Sequence, residues 1–266
     1  MKTLTYTLIL ALASLTLFAS FSHAQDPNEI MKKSHLAYYY AGDDGLSEVN
    51  MVIVDKRGKE RTKEFTMLRM DQSEGGPQMY YTYFKKPSDV SRLTFMVHKV
   101  PDGNDMRWIY VPSVDLVKPI SADDKNSSFV GSNFSYEDVS GRHWSEDNHT
   151  LLGDSTIGDR PVWVIESKPK SEGDSFGHKV SYIDKENYLP LMENYYDDKD
   201  RLERVFRSEK IDTVDNIVTM TSRSMENVQK GGKTTISFSS IQYNVGLDAD
   251  VFTERYLKNP PRKYIH

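Results

Sequence analysis

From Val49 onward apolar and polar residues alternate with a period of two, and turn-forming residues interrupt the alternation at short, regular intervals. The runs Val49–Asp55 and Arg61–Met70 flank Lys56-Arg57-Gly58-Lys59, a short charged turn containing glycine, which predicts a hairpin. Further strands are predicted over Met79–Phe84, Leu93–His98, Met106–Val111, Leu151–Ile157, Pro161–Ser167, Lys179–Asp184, Leu189–Tyr196, Leu202–Ile211, Ile217–Met225 and Thr234–Tyr243. The separators, such as Gly158-Asp159, Asp215-Asn216 and Gly231-Gly232, carry residues that favour tight turns. About a dozen strands with no helix repeated between them call for a mainly antiparallel sheet that curls into an incomplete barrel, not a βαβ sheet. Facing is legible in places. Ile236 and Phe238 share one side of their strand, whereas Pro161–Ser167 is apolar on both sides and is expected to be covered on both.

Two segments depart from this rhythm. Asp26–Tyr40 reads as a helix, with Asp26 as cap, Pro27 in the first turn, and Ile30, Met31, Leu36 and Ala37 as its apolar side. Ser121–Gly141 is polar except for Phe129, Phe134 and Tyr136. Ser121 and Asp123 can cap one short helix there, and Ser132 or Asn133 another. The segment reads either as a lid laid over the concave side of the sheet, with Gly131 and Gly141 as its flexible points, or as an insertion that plugs the barrel end as ordinary core.

The N-terminus adds an address. Lys2 precedes an apolar run from Leu8 to Phe18, and Ser22-His23-Ala24 has the small-x-small form that signal peptidase accepts, so residues 1–24 read as a signal peptide cut before Gln25. The run is shorter than the ~20 residues a membrane span needs, and no later apolar stretch reaches that length. With no cysteine among 266 residues, the chain has neither a disulfide nor the cysteine on which a lipoprotein anchor is built. The net charge of −5 argues against nucleic-acid binding and against electrostatic capture by anionic headgroups.

Several stretches resemble one family. Trp108-Ile109-Tyr110-Val111-Pro112-Ser113, Val117-Lys118-Pro119-Ile120 and Phe129-Val130-Gly131-Ser132-Asn133-Phe134-Ser135-Tyr136-Glu137-Asp138 look like the outer-membrane lipoprotein-sorting proteins, distant relatives of the LolA and LolB carriers. The likeness extends to Asp55–Arg61, Phe84–Val90, Asp184–Leu191, Tyr243–Asp248 and Phe252–Leu257, in the same order along nearly the whole mature chain. It implies one domain over residues 25–266: a curved, incomplete antiparallel barrel around a hydrophobic cavity, its open side closed by an N-terminal helix and short lid helices. It also implies a soluble periplasmic protein that carries lipoprotein acyl chains, lipids or other hydrophobic molecules, with an RND-type inner-membrane exporter as partner. The type carriers are shorter, so the cargo need not be a lipoprotein.

Residues expected to line such a cavity are Phe65, Met67, Phe95, Val97, Trp108, Tyr110, Phe129, Phe134, Trp163, Ile236 and Phe238. Each has the chemistry of ordinary core, so the claim is collective: more inward apolar side chains than the sheet needs for its own packing. The 11 methionines suit adaptable packing.

No catalytic pattern emerges, and no cofactor or metal is expected. His143, Glu146, Asp147 and His149 fit no short helical or hairpin ligand spacing. Gly-x-Ser-x-Gly, Gly-x-Gly-x-x-Gly and phosphate-loop patterns do not occur. Asp123-Asp124, Glu137-Asp138 and Asp197-Asp198 fall in predicted loops or caps. The alternative to a carrier is a structural or docking subunit of an envelope complex, its barrel filled by its own side chains. The basic Lys258–Lys263 tail reads as a loose end or a docking strip, the loose end being preferred.

Overall fold

The computed structural model describes residues 25–101, 103–171, 174 and 176–265. The expected signal peptide, residues 1–24, lies outside them.

Helix α1 (Pro27–Tyr39) begins where the Asp26 carboxylate accepts the Asn28 backbone N–H at 2.9 Å. Its buried residues are Ile30, Met31, Ser34 and His35, two i,i+4 pairs, so the buried stripe takes in Ser34 and His35 and leaves Leu36 and Ala37 only half-buried.

The strands are β1 (Asp44–Val54), β2 (Glu60–Asp71), β3 (Gln78–Lys86), β4 (Thr94–Lys99), β5 (Met106–Val111), β6 (Leu116–Ile120), β7 (Asp147–Ile157), β8 (Arg160–Pro169), β9 (His178–Asp184), β10 (Pro190–Tyr196), β11 (Leu202–Val214), β12 (Ile217–Asn227) and β13 (Lys233–Tyr243). They form one antiparallel sheet in the order β6-β5-β4-β3-β2-β1-β13-β12-β11-β10-β9-β8-β7. The chain thus draws two meanders that meet where β1 pairs with β13. The turns follow their residues: Asp215 and Asn216 both take positive φ, as a two-residue hairpin loop requires, and Asp55 accepts the backbone N–H groups of Arg57 and Lys59.

β6 is one strand beyond those the alternation predicts. Its Pro119 donates no backbone hydrogen bond, and an edge is where a sheet tolerates proline. β6 and β7 are the two edges and do not pair with each other, so the sheet is an incomplete barrel. All other consecutive strands are sheet neighbours. The chain between β6 and β7 must therefore cross the gap from one edge to the other.

Period-two alternation sends each strand's side chains to one of two covers. On the convex face Leu68, Met79, Tyr81, Met96 and Tyr110 pack against Leu247, Val251, Phe252, Leu257 and Ile265, from the C-terminal segment that includes helix α3 (Glu254–Lys258). Tyr81 Oη donates to Tyr256 O at 2.7 Å and Thr94 Oγ1 to Leu257 O at 2.8 Å. The tail is therefore not a loose end: buried Pro261 and Ile265 anchor it beyond its basic residues, because the convex face needs an apolar cover.

Candidate functional site

The concave face is where the strands, the crossing chain and α1 converge. The register places Val49, Met51 and Ile53 of β1 beside Phe65 of β2 and Ile236 and Phe238 of β13. It continues through Phe84 of β3 to Phe95 of β4. These residues and Val97 form one apolar cluster with Phe129, Phe134 and Val139 of the crossing segment.

The crossing segment is built for this descent. Ser121 caps a short 3₁₀ turn over Ala122–Asn126, and a second follows at Phe129–Gly131. Helix α2 (Tyr136–Ser140) starts from a reciprocal capping box in which Ser135 Oγ accepts the Asp138 N–H at 3.0 Å and Asp138 accepts the Ser135 N–H at 2.7 Å. The cap is thus Ser135, not the expected Ser132 or Asn133, because only Ser135 has an acidic residue three places on to return the bond. Phe129 is fully buried, its ring centroid 5.4 Å from Phe95, 5.9 Å from Phe84, 6.3 Å from Phe65 and 5.6 Å from Tyr136. Polar ties surround it: Lys63 Nζ donates to Val130 O at 2.8 Å, and Thr234 Oγ1 accepts from Asn133 N at 2.9 Å and donates to Asn133 Oδ1 at 2.8 Å.

A band of half-buried and buried ion pairs fastens the segment and its exit. Arg142 Nε meets Asp147 at 2.9 Å, and its Nη1 meets Asp174 at 2.8 Å and Glu146 at 3.3 Å. Lys125 reaches Glu137 at 2.9 Å, and Arg204 of β11 reaches Asp138 at 2.6 Å. Burial alone would lower the Arg142 pKa, but the carboxylates of Asp147, Glu137, Glu146 and Asp174 outweigh it and raise it. At the segment's exit a Cβ on Gly141 would lie 2.5 Å from the Tyr39 ring, and Gly141 has φ +82, so only glycine lets α1 close against it. The two histidines near the segment's exit are tied into hydrogen bonds: His149 bridges Trp144 O and Ser167 Oγ, and His143 meets Ser145 Oγ.

His35 lies in this seam, its ring 5.0 Å from that of His143. Burial first, then the charges of His143, Lys99 and Lys179, depress its pKa well below 6.5. The folded protein therefore resists protonating it while the unfolded chain does not. Its contribution to stability is present above pH 6.5 and is lost as the pH falls below that value. In urea titrations between pH 7.5 and 5, the wild-type midpoint is expected to fall more steeply than that of His35→Phe; equal slopes would refute the assignment.

Beside the aromatic cluster, at the C-terminal end of α1, lies a cavity of about 130 Å³. Tyr38, Met67, Val139, Met220 and Phe238 give it apolar walls, and two arginines, Arg69 and Arg223, give it charge. Arg69 is spent on structure: it donates to the carbonyls of Tyr39, Ala41 and Gly42 and so clamps the α1–β1 turn.

A family model described as an uncharacterized protein matches residues 76–259, well over half of the chain. The chain belongs to that family. Among solved structures it is similar to a DUF1329 family protein from Desulfovibrio piger, with TM-score 0.81 and 26% identity over 87% of this chain and 99% of that one. It is equally similar to a putative outer-membrane lipoprotein-sorting protein domain from Vibrio parahaemolyticus, with TM-score 0.81 and 26% identity over 87% and 98% of the two chains. A LolA superfamily protein from Nitrosomonas europaea shares the fold at TM-score 0.66 and 17% identity, over 86% and 98%. No curated protein matches the chain. The resemblance read from the sequence therefore holds: this chain is similar to a putative lipoprotein-sorting domain, shares its fold with a LolA superfamily protein, and has the incomplete-barrel sheet that the resemblance implied.

Of the residues expected to line one cavity, the structure brings together Phe65, Met67, Phe95, Val97, Phe129, Phe134, Ile236 and Phe238. It does not bring Trp108, Tyr110 or Trp163 to them. On β5 it is Arg107 and Ile109 that stand opposite Val97 and Phe95, so alternation sends Trp108 and Tyr110 to the convex cluster under the C-terminal segment. Trp163 packs with Ile30 and Met31 beneath α1. The sequence reading missed Arg223. Its only signal was an arginine inside the strand Ile217–Met225, and alternation alone does not say which face is inward.

Proposed function

We propose that the protein is a periplasmic carrier: exported by cleavage before Gln25, folded as one domain, and passing lipidated or lipid-like cargo toward the outer membrane with an RND-type exporter as partner. The observation that carries this reading is the crossing segment. It is the one link between the two sheet edges, and it fills the concave side with Phe129 and Phe134, side chains an acyl chain could replace like for like. A ~16-carbon chain gains on the order of 12 kcal/mol on leaving water, before ordering costs, so capture is easy and release is the harder problem. Residues 121–141, as a lid on a stiff sheet, supply a two-state element that a partner can tip. The role is one of binding and transfer, with no bond made or broken.

The filled concave side also favours a second reading, a docking subunit whose barrel never opens. Lipid extracted from the natively purified protein and weighed by mass spectrometry separates the two, together with uptake of a fluorescent fatty acid. Near-stoichiometric acyl or sterol-like species and saturable uptake are expected of the carrier. A protein that is dry and takes up nothing is the docking subunit. Hydrogen exchange of residues 121–141 is expected to change on lipid binding; equal, strong protection in both states would sink the lid.

A further inference from the structure

Arg223 is the residue that neither packing nor the ion-pair network accounts for. It projects from β12 beside Ile236 of β13 onto the concave face and is 7% exposed. Its guanidinium lies 5.4 Å from the Tyr38 ring, 5.0 Å from Phe238 and 5.9 Å from Phe134. The Tyr38 hydroxyl accepts one of its N–H groups, while the buried Nε–H has no acceptor. Among the described residues it has no carboxylate partner. The acids whose charge reaches Tyr38 are already engaged: Asp138 holds Arg204, and Glu193 holds Lys179 at 2.8 Å. Burial pushes the hydroxyl pKa of Tyr38, Tyr39 and Tyr80 upward, so these neighbours stay neutral and supply no counter-charge.

A buried guanidinium held only by ring faces and one hydroxyl is incompletely compensated. Ring faces attract it, but they do not satisfy its in-plane N–H groups. Those groups belong to a residue that lines the 130 Å³ cavity and also touches Phe134 of the crossing segment. Arg223 thus stands between the cavity and Phe134, and Phe134 belongs to the same apolar cluster as Phe129.

We propose that Arg223 is the anchor for the anionic head of the cargo, a single-chain amphiphile bearing a carboxylate or phosphate, whose chain takes the place of Phe134 and Phe129. The proposal rests on the carrier reading and adds to it the chemical class of the ligand. A planar guanidinium with a free N–H edge binds two oxygens of such a head side by side, and in an apolar cavity that charge-assisted pair is strong. An alcohol or ester head supplies neither the charge nor the pair of acceptors. Cargo is then selected by its head as well as by its chain.

The test compares probes of one chain length on the full protein: oleate, oleoyl lysophosphatidic acid and oleyl alcohol, each competing with a fluorescent fatty alcohol. Wild type is expected to prefer at least one anionic probe over the alcohol by about tenfold or more, and Arg223→Met to lose that preference while still binding the alcohol. Which anionic probe is preferred separates a free fatty acid from a phospholipid source. If the Met variant does not fold, Arg223→Lys replaces it; the lysine lacks the planar fork, so the preference is expected to drop at least threefold, roughly the loss of bidentate geometry with charge kept. Equal binding of acid and alcohol by wild type, or a preference unchanged in the variant, overturns the head-group proposal and leaves the carrier intact. Wild type that binds no probe, alcohol included, overturns the carrier reading and this proposal with it.

Discussion

Phe129→Ala is expected to lower the stability of the protein by about 3–5 kcal/mol, the usual cost of deleting a buried phenyl ring. The ring has no exposed surface and touches three sheet phenylalanines and Tyr136, so both its transfer free energy and its dispersion contacts are lost. Its surroundings cannot collapse into the hole. Phe65, Phe84 and Phe95 stand on three consecutive sheet strands whose spacing is set by backbone hydrogen bonds. The denaturation midpoint is expected to fall with little change in the slope, and hydrogen exchange to rise first within residues 121–141. Phe129→Leu, which keeps most of the volume, is expected to cost less than about 1.5 kcal/mol. A loss under 1 kcal/mol for the alanine variant would mean that the crossing segment does not pin the concave face at all.

Arg142→Met is expected to cost a comparable amount, about 3–5 kcal/mol, by an electrostatic route. The methionine fills most of the volume, so packing is roughly kept. What is lost is the cation among Glu137, Asp147 and Asp174, whose side chains are 8%, 4% and 8% exposed. Lys125 remains beside Glu137 and Asp174, but Asp147 loses its guanidinium. The remaining buried carboxylates then gain stability by taking up protons, so their folded pKa values rise above the unfolded ones. That contribution is present at low pH and is lost as the pH rises, which makes the variant's deficit smallest in acid and largest above neutrality. Urea midpoints of both proteins between pH 4.5 and 8 read this out. A deficit that does not depend on pH would show that the loss is one of packing. The two variants also separate the two fastenings of the crossing segment, aromatic at Phe129 and ionic at Arg142.

Much of the fold was legible because strand periodicity is local. Val49–Asp55, Arg61–Met70 and Thr234–Tyr243 alternate in sequence, and they became β1, β2 and β13, although β1 and β13 stand at opposite ends of the chain. Alternation does not carry the handedness of a face. Trp108 and Ile109 are adjacent and both bulky, and only the pairing of β5 with β4 decides that Ile109 looks toward Phe95 and Trp108 away from it. The crossing segment was visible as a break in rhythm, with its aromatics named, because Phe129 and Phe134 are conspicuous in a polar stretch. Its true cap at Ser135 was hidden by Ser132 and Asn133, neighbours of similar capping propensity.

By itself the sequence determined what depends on neighbours along the chain: strands and turns, the opening helix, the segment of irregular structure and the aromatic residues within it. The tertiary structure alone decided what depends on neighbours in space. It made β6 and β7 the edges, so that the crossing segment has a gap to span. It docked the C-terminal segment on the convex face and carried Arg223, an ordinary strand arginine in the sequence, to the wall of a cavity where no carboxylate among the described residues pairs with it. The reason is one of range. Periodicity and turn chemistry act over a few residues, whereas burial and charge pairing are properties of groups that lie up to a hundred or more residues apart, such as Asn133 and Thr234, and meet only once the sheet has formed.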